Sequence, residues 1–212
     1  MICVSLANNS LAAYQARLAT VDFAEIRLDL GLLNNSEIRT LFAEPKTLIA
    51  TYRPGTVDET IRIAGLETAI EAGASYIDIE CDSDSDVRQR LIAHAHRHHC
   101  RVIVSYHNEQ ETPSTTELMS VIERCRASGA DLVKLACFVR EPADNARLLG
   151  LLDTQHDLIA IGMGDLGKIT RVAGPLLGAP FTYAADEAGR PTAPGQLDYT
   201  TMNRLLADLH HD

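Results

Sequence analysis

One lysine and one histidine stand where chemistry would need them. Lys134 lies inside the run Leu132-Val133-Lys134-Leu135-Ala136. A lysine so placed is poorly solvated, and burial disfavours its ammonium form. A neutral amine is what attack on a ketone requires. A plainer reading stays open beside it: a lysine that snorkels from a strand end or pairs with a carboxylate. His107 follows the run Val102–Tyr106. Taken alone, it fits a structural hydrogen-bonder as well as a proton carrier. Together the two residues say more. If their runs are neighbours, both converge on one mouth, and an amine that forms an imine needs a proton carrier beside it.

Charged residues recur with the same spacing. Glu25, Arg27 and Asp29 alternate with Ile26 and Leu28, which puts all three on one face of a strand. Charges on an inner face are costly unless they pair or bind something. A salt-bridge layer is one outcome, and Asp29 is expected to take that part. The fourth run carries Asp78-Ile79-Glu80, and Arg53 follows the run Thr47–Tyr52. Arg53 and Arg171 have the chemistry of a carboxylate clamp. His94, His96, His98 and His99 fall at a helix end and read as solvated surface, with no ligand set for a metal. His210-His211 reads as a frayed end. The glycines of Gly162-Met163-Gly164-Asp165-Leu166-Gly167 suit a phosphate cradle or simply a tight turn.

The elements that must position these residues alternate regularly. Short β-branched and apolar runs occur at Ile2–Leu6, Ala24–Leu28, Thr47–Tyr52, Tyr76–Glu80, Val102–Tyr106, Leu132–Cys137, Leu158–Ile161 and Phe181–Ala184. Amphipathic stretches lie between them, as at 10–19 and 86–98. Ser114 with Glu117 forms a capping box before one helix, and Gly129 stops it. Gly73 stops the helix that starts near Asp58. Eight such units predict a (β/α)8 TIM barrel of eight parallel strands with outer helices, as one domain over residues 1–212. An open doubly wound sheet is the alternative, but Ala7-Asn8-Asn9-Ser10 follows the first strand where a dinucleotide fold would place GxGxxG.

Composition narrows the partners. The net charge of −10, with no basic run beside aromatics, argues against nucleic acid. No apolar run approaches the roughly 20 residues of a membrane helix. MICVSLA lacks the basic and apolar regions of a signal peptide. Five scattered cysteines (Cys3, Cys81, Cys100, Cys125 and Cys137) read as free thiols of a reducing cytoplasm. The loop DEAGRPTAPGQ, Asp186 to Gln196, follows the last strand. Its glycines and prolines suit a lid that is open without ligand and closes over substrate.

In order along the chain, MICVSL, AEIRLD, TYR, YIDIE, VSYHN, DLVKLA, GMGDLGKITRVAGPLLG and APGQL resemble the class I 3-dehydroquinate dehydratase family, over nearly the whole length. The resemblance implies a (β/α)8 barrel, commonly a homodimer, with no metal or organic cofactor. It implies that the small anionic substrate is 3-dehydroquinate, whose ketone forms an imine with Lys134. His107 would take the C2 proton and return it to the departing C1 hydroxyl. Arg171 and Gln196 match residues that hold the substrate carboxylate and the lid. Glu25, Arg27 and Arg53 match those around the ring hydroxyls, and Ser5 matches a serine near the mouth of the first strand.

There are departures. A glutamate common a few residues after the strand-three arginine is missing, since Pro54-Gly55-Thr56-Val57 follows Arg53. Asp58, Glu59 or Glu80 would have to orient His107 instead. Thr192 stands for a lid serine, and Tyr183 for a usual phenylalanine. Two other functions fit parts of the pattern. Another imine-forming barrel lyase or aldolase would share the lysine. A non-catalytic module of dehydroquinase type would tend to lose the Lys134–His107 pair.

Overall fold

The structure, a computed structural model, describes residues 1–31, 33–187 and 192–209. Gly189 and Pro191 of the expected lid, and His210-His211, lie outside these. Eight strands alternate with eight helices. The strands are β1 (Ile2–Leu6), β2 (Phe23–Arg27), β3 (Thr47–Thr51), β4 (Tyr76–Glu80), β5 (Arg101–Asn108), β6 (Leu132–Phe138), β7 (Leu158–Met163) and β8 (Thr182–Ala185). The helices are α1 (Leu11–Leu18), α2 (Asn35–Phe42), α3 (Glu59–Ala72), α4 (Ser85–Arg97), α5 (Thr115–Ala127), α6 (Pro142–Gly150), α7 (Lys168–Leu176) and α8 (Tyr199–Leu209). All ladders are parallel, in the order β7-β6-β5-β4-β3-β2-β1-β8. This is a nearly closed (β/α)8 barrel. Among the described residues no ladder joins β7 to β8. The Gly164 N–H instead donates to the Pro194 carbonyl at 3.4 Å, and the Ala185 N–H donates to Leu197 at 2.8 Å.

Local chemistry sets the element ends. Ser114 and Glu117 form the expected capping box at α5, and Gly129 follows that helix at φ 102°. Asp58 caps α3 by accepting from the Thr60 N–H, and Gly73 closes it at φ 111°. Only glycine enters that region freely. β2 stops at Arg27, so Asp29 lies in the turn beyond it and not on the strand face with Glu25 and Arg27. β5 and β7 each run two residues past the end that the residue pattern indicates. β5 continues to Asn108, so His107 lies within a strand and not just past one. β7 continues to Met163, which takes Gly162 and Met163 out of the seventh loop. In both cases polar or glycine residues hide the strand end, while the neighbouring strand still supplies ladder partners, His107 to Ala136 and Cys137 to Gly162.

The period of two along each strand sorts residues between two cores. Val133, Leu135 and Cys137 face outward into the apolar layer shared with the helices. Leu132 and Ala136 face inward, with Ile103, Ile159, Phe181 and Tyr183. The lower interior is an aromatic floor. Phe23 meets Phe181 edge-on at 4.8 Å, and Tyr76 lies 6.1 Å from Phe181. Above it the inner positions turn polar: Ser5, Glu25, Thr51, Asp78, Ser105 and Lys134 are all buried. The barrel therefore carries a buried charged layer between the floor and the C-terminal mouth, where barrels keep their chemistry.

Candidate active site

Lys134 reaches this layer from the middle of β6. Its side chain is 7% exposed. The desolvation expected from its run is real but has another source, because the adjacent Val133 and Leu135 point away to the helices. What faces Nζ is the Asp78 carboxylate at 3.0 Å and the face of the Tyr183 ring, 4.5 Å to its centroid. The plainer reading, a lysine paired with a carboxylate, thus holds together with the chemical one, since Lys134 also lines the cavity.

Asp78 is the residue that motif reading passed over. Its side chain is fully buried. It accepts from Arg53 through both terminal nitrogens, at 3.0 and 3.1 Å, and from Ser105 Oγ at 2.5 Å. Burial pushes its carboxyl up, but the charges of Arg53, Lys134 and His107 and the Ser105 hydrogen bond outweigh this. The net displacement is far below the usual carboxylate range. The signal in the sequence was the spacing of two in YIDIE, the same as in EIRLD.

His107 stands two residues nearer the mouth than the Lys134 level, since Ser105 pairs with Lys134 and His107 with Ala136. That is about 6.6 Å along the strand. Its Nδ1 lies 3.0 Å from Glu80 Oε2. A carboxylate only accepts, so Nδ1 carries the proton and Nε2 presents a lone pair. Of the three carboxylates considered for this role, Glu80 holds the histidine. Asp58 is spent on the α3 cap and Glu59 on Arg62, through two hydrogen bonds of 2.5 and 2.7 Å. Burial lowers the His107 pKa, the Glu80 hydrogen bond raises it, and Arg53 and Lys134 lower it again, leaving it below the ordinary value. Glu80 is pushed up by burial but brought down further by His107 and Arg53.

The three arginines differ. Arg53 is committed inward, to Asp78, to Ser105 Oγ at 3.0 Å and to Glu80 at 2.7 Å. It serves first as scaffold, and a carboxylate clamp on it would have to compete with these partners. Arg27 forms the expected salt bridge with Asp29, by two hydrogen bonds of 2.9 and 2.6 Å, and reaches the Thr192 carbonyl at 3.3 Å. Arg171 is 2% exposed and has no ion pair among the described residues. Its Nε lacks a partner, and one terminal nitrogen donates to the Pro194 carbonyl at 3.4 Å. Desolvation alone lowers its pKa to about 10. A buried guanidinium without an anion is costly, and this one lines the cavity.

Glu25 accepts from Thr51 Oγ1 at 2.8 Å and from the Ser5 hydroxyl. Burial raises its carboxyl, and the Lys134 and Arg27 charges bring it below its ordinary value. Ser5 does not line the cavity. It sits behind Glu25 and accepts from Thr192 Oγ1 at 2.7 Å, so it ties the lid to the first strand. Gln196 Oε1 accepts from the Thr192 N–H at 2.9 Å and from the Ala193 N–H at 3.3 Å. The tip 192–196 is thus folded on itself and docked on the first strand. Gly195, at φ 74°, lies on Gly164, where a Cβ would come within 2.3 Å of the Gly164 carbonyl oxygen. The glycines of the seventh loop serve close packing too: a Cβ on Gly167 would meet the Gly162 carbonyl carbon at 2.3 Å. Among the described residues no group of three or more His, Cys, Asp or Glu is placed to hold a metal ion.

The cavity above the charged layer measures about 340 Å³ and is lined by Glu25, Arg27, Arg53, His107, Lys134 and Arg171, with Thr192 and Gln196 at its rim. Fold and site together define a (β/α)8-barrel enzyme with a buried amine, a held histidine and an anion pocket at one mouth. Residues 2–212 match the sequence profile of type I 3-dehydroquinase. The 3-dehydroquinate dehydratase of Methanothermobacter thermautotrophicus is 39% identical over 202 residues, 90% of this chain and 86% of the relative. That of Methanococcus vannielii is 32% identical, over 97% of this chain and 98% of the relative. The crystal structure of 3-dehydroquinate dehydratase from Aquifex aeolicus superposes with a TM-score of 0.85 at 25% identity, covering 100% of both chains. The chain belongs to the type I 3-dehydroquinase family, whose members are hydro-lyases. A 3-hexulose-6-phosphate synthase from Salmonella typhimurium, with a TM-score of 0.63 at 17% identity, shares the barrel alone.

The state of Arg171 makes a direct expectation. Arg171→Met removes an uncompensated buried charge, so the ligand-free protein should melt no lower than wild type. The rise in Tm that a cyclic hydroxy-carboxylate produces in wild type should vanish. A variant that melts lower and still shows the full ligand-induced rise would show that the anion binds elsewhere.

Proposed function

We propose that the chain, acting as one catalytic unit over residues 1–212, dehydrates 3-dehydroquinate to 3-dehydroshikimate through an imine on Lys134. The observation that carries this is a buried lysine on the cavity wall, below a histidine whose Nδ1 is held and beside an arginine lacking an anion. Arg171 takes the substrate carboxylate, and Gln196 and Thr192 close over it. Glu25 and Arg27, with Arg53 behind them, face the ring hydroxyls. Ser5 keeps Glu25 and the lid in register.

In this reaction the Lys134 amine adds to the C3 ketone and water leaves to give the imine. His107 Nε2 removes a C2 proton, and the electron pair moves toward the imine nitrogen. The protonated histidine then gives its proton to the C1 hydroxyl, which departs as water. Hydrolysis of the conjugated imine frees the product and restores the lysine. Each step is acid–base or nucleophilic chemistry of the two side chains.

The soluble-enzyme setting fits the rest of the chain. No helix among the described residues is long and apolar enough to cross a membrane, and the five cysteines are buried free thiols. Both support a reducing, cytoplasmic location, which cell fractionation would test. A homodimer is proposed on the family likeness and on Ile169 and Leu176. These are both exposed and lie seven residues apart, hence on one face of α7. Sedimentation should give twice the chain mass, and Ile169→Glu with Leu176→Glu should return it to the monomer. A monomeric wild type would overturn this.

The central test follows turnover of 3-dehydroquinate by the rise of enone absorbance. Borohydride added with substrate should inactivate the enzyme and leave one ligand mass on the peptide containing Lys134, with none in Lys134→Ala. His107→Ala should lower kcat by about 10²–10⁴-fold. Label at Lys46 or Lys168, or near-normal turnover in His107→Ala, would defeat the assignment.

Glu80 makes a pH expectation with a definite sign. His107 must be neutral to act as base, so kcat/KM is lost as pH falls through its depressed pKa, below about 6.5. Glu80 works against that depression. Glu80→Gln should therefore move the acidic limb further down while kcat falls by up to about 10²-fold through lost ring orientation. An acidic limb that stays put or moves up would remove Glu80 from this role.

A further inference from the structure

We propose that Asp78 is the catalytic counter-ion of the imine nitrogen, holding its positive charge from the resting ammonium to the iminium. The inference rests on the imine reading given above. Its basis is geometric. Asp78 Oδ2 lies 3.0 Å from Nζ of Lys134, with the Asp78 side chain wholly buried. The opposite oxygen is taken by Ser105 at 2.5 Å, and Arg53 bridges both oxygens. The carboxylate therefore cannot rotate away, and one oxygen stays turned to the nitrogen. The Tyr183 ring face, 4.5 Å from Nζ, bounds it on another side. Both neighbours favour a cation at that point.

Charge bookkeeping explains why a fixed anion is useful there. An ammonium and a ketone give an iminium and one water, so the nitrogen carries one positive charge at both ends of that conversion. A proton leaves Nζ before the amine adds to the carbonyl carbon. One proton returns as the carbinolamine oxygen departs as water. Asp78 can stay ionised throughout, and the depression of its carboxyl by Arg53, Lys134 and His107 disqualifies it as the base that takes the proton. What it adds is a bias toward the protonated imine, the form that draws electrons from C2. Arg53 moderates that bias by sharing the same oxygens, so the nitrogen can still become neutral when the enamine forms.

The other charged or titratable groups around the nitrogen are Glu25 on β2, Arg53 following β3, His107 on β5, Cys3 on β1 and Tyr183 on β8. Among the described residues only Asp78 is within hydrogen-bond reach of Nζ. Glu25 is turned to Ser5 and Thr51. A second carboxylate is thus present in the layer, but it does not touch the reacting atom.

The test uses cyanoborohydride, which reduces an iminium and spares a neutral imine. The rate of trapping with 3-dehydroquinate is measured against pH in wild type and Asp78→Asn, with the label located by mass spectrometry. The basic midpoint of trapping should fall by one pKa unit or more in the variant, which corresponds to about tenfold. The kcat should fall by about 10²–10³-fold, with little change in the Kd of an unreactive carboxylate analogue. An unmoved midpoint with label still on Lys134 overturns the inference alone. Absence of label from Lys134 in wild type overturns both the imine reading and the inference. If Asp78→Asn does not fold, the same series on Asp78→Ser decides. Added formate should then raise the midpoint back toward wild type, and a midpoint indifferent to formate overturns the proposal.

Discussion

The structure depends on one buried carboxylate that faces two cations. Asp78 sits in the barrel with Arg53 along both its oxygens and Lys134 on one of them. None of the three would tolerate burial alone, because an unpaired charge in a dry interior neutralises or does not form. Together they make a set whose parts are fixed by each other. Removing one partner of such a set typically costs about 3–5 kcal/mol, since the remaining charge is stranded. Arg53 carries the constraint onward. It also reaches Glu80, and Glu80 holds His107. The position of the proton carrier is thus tied, through the Glu80–Arg53, Arg53–Asp78 and Asp78–Lys134 ion pairs, to that of the amine.

Barrel geometry is what makes this set affordable. Parallel strands place alternate residues inside, so one inner position from each of several strands meets at one height. At the lower height those positions are Phe23, Tyr76 and Phe181, where Phe23 meets Phe181 edge to face and Tyr76 packs tilted against it. At the next they are Ser5, Glu25, Thr51, Asp78, Ser105 and Lys134, which satisfy one another by hydrogen bonds. The floor lowers the local dielectric and strengthens each pairing above it. Stability comes chiefly from the outer layer between strands and helices, which leaves the inner face free for chemistry.

Arg171 breaks the rule that the other charges obey. Every other cation lining the cavity has a carboxylate partner, whereas among the described residues Arg171 has only a long contact to the Pro194 carbonyl. Next to Pro194 the lid packs glycine on glycine, Gly195 on Gly164. This incomplete satisfaction at one point, in a site otherwise closed on itself, is what supports the proposed carboxylate-binding role of Arg171. The lid tip is also held by contacts within the protein: the Thr192–Gln196 bonds and the Thr192–Ser5 contact.

Much of this was legible in the chain itself. Eight apolar runs with amphipathic spacers specify strands and helices because periods of two and of 3.6 select which faces can be buried. Lys134 was visible as a polar residue where apolar ones belong, His107 as a proton carrier near it, and Asp29 as a member of a salt-bridge layer. These are local or periodic facts, and a sequence carries them directly. Three features were decided only by the fold. The sequence around Lys134 suggests an apolar surround, but its neighbours Val133 and Leu135 leave for the helices, and its true surround comes from β4 and β8. The partner of His107 could have been Asp58, Glu59 or Glu80. The choice fell to Glu80 because β4 lies beside β5, while the other two were taken by an N-cap and by Arg62. Arg53 and Arg171 looked alike as clamps, yet one is enclosed by acids from β4 and the other by none. In each case the deciding contact joins residues distant in the chain, and only the register of neighbouring strands brings them within reach.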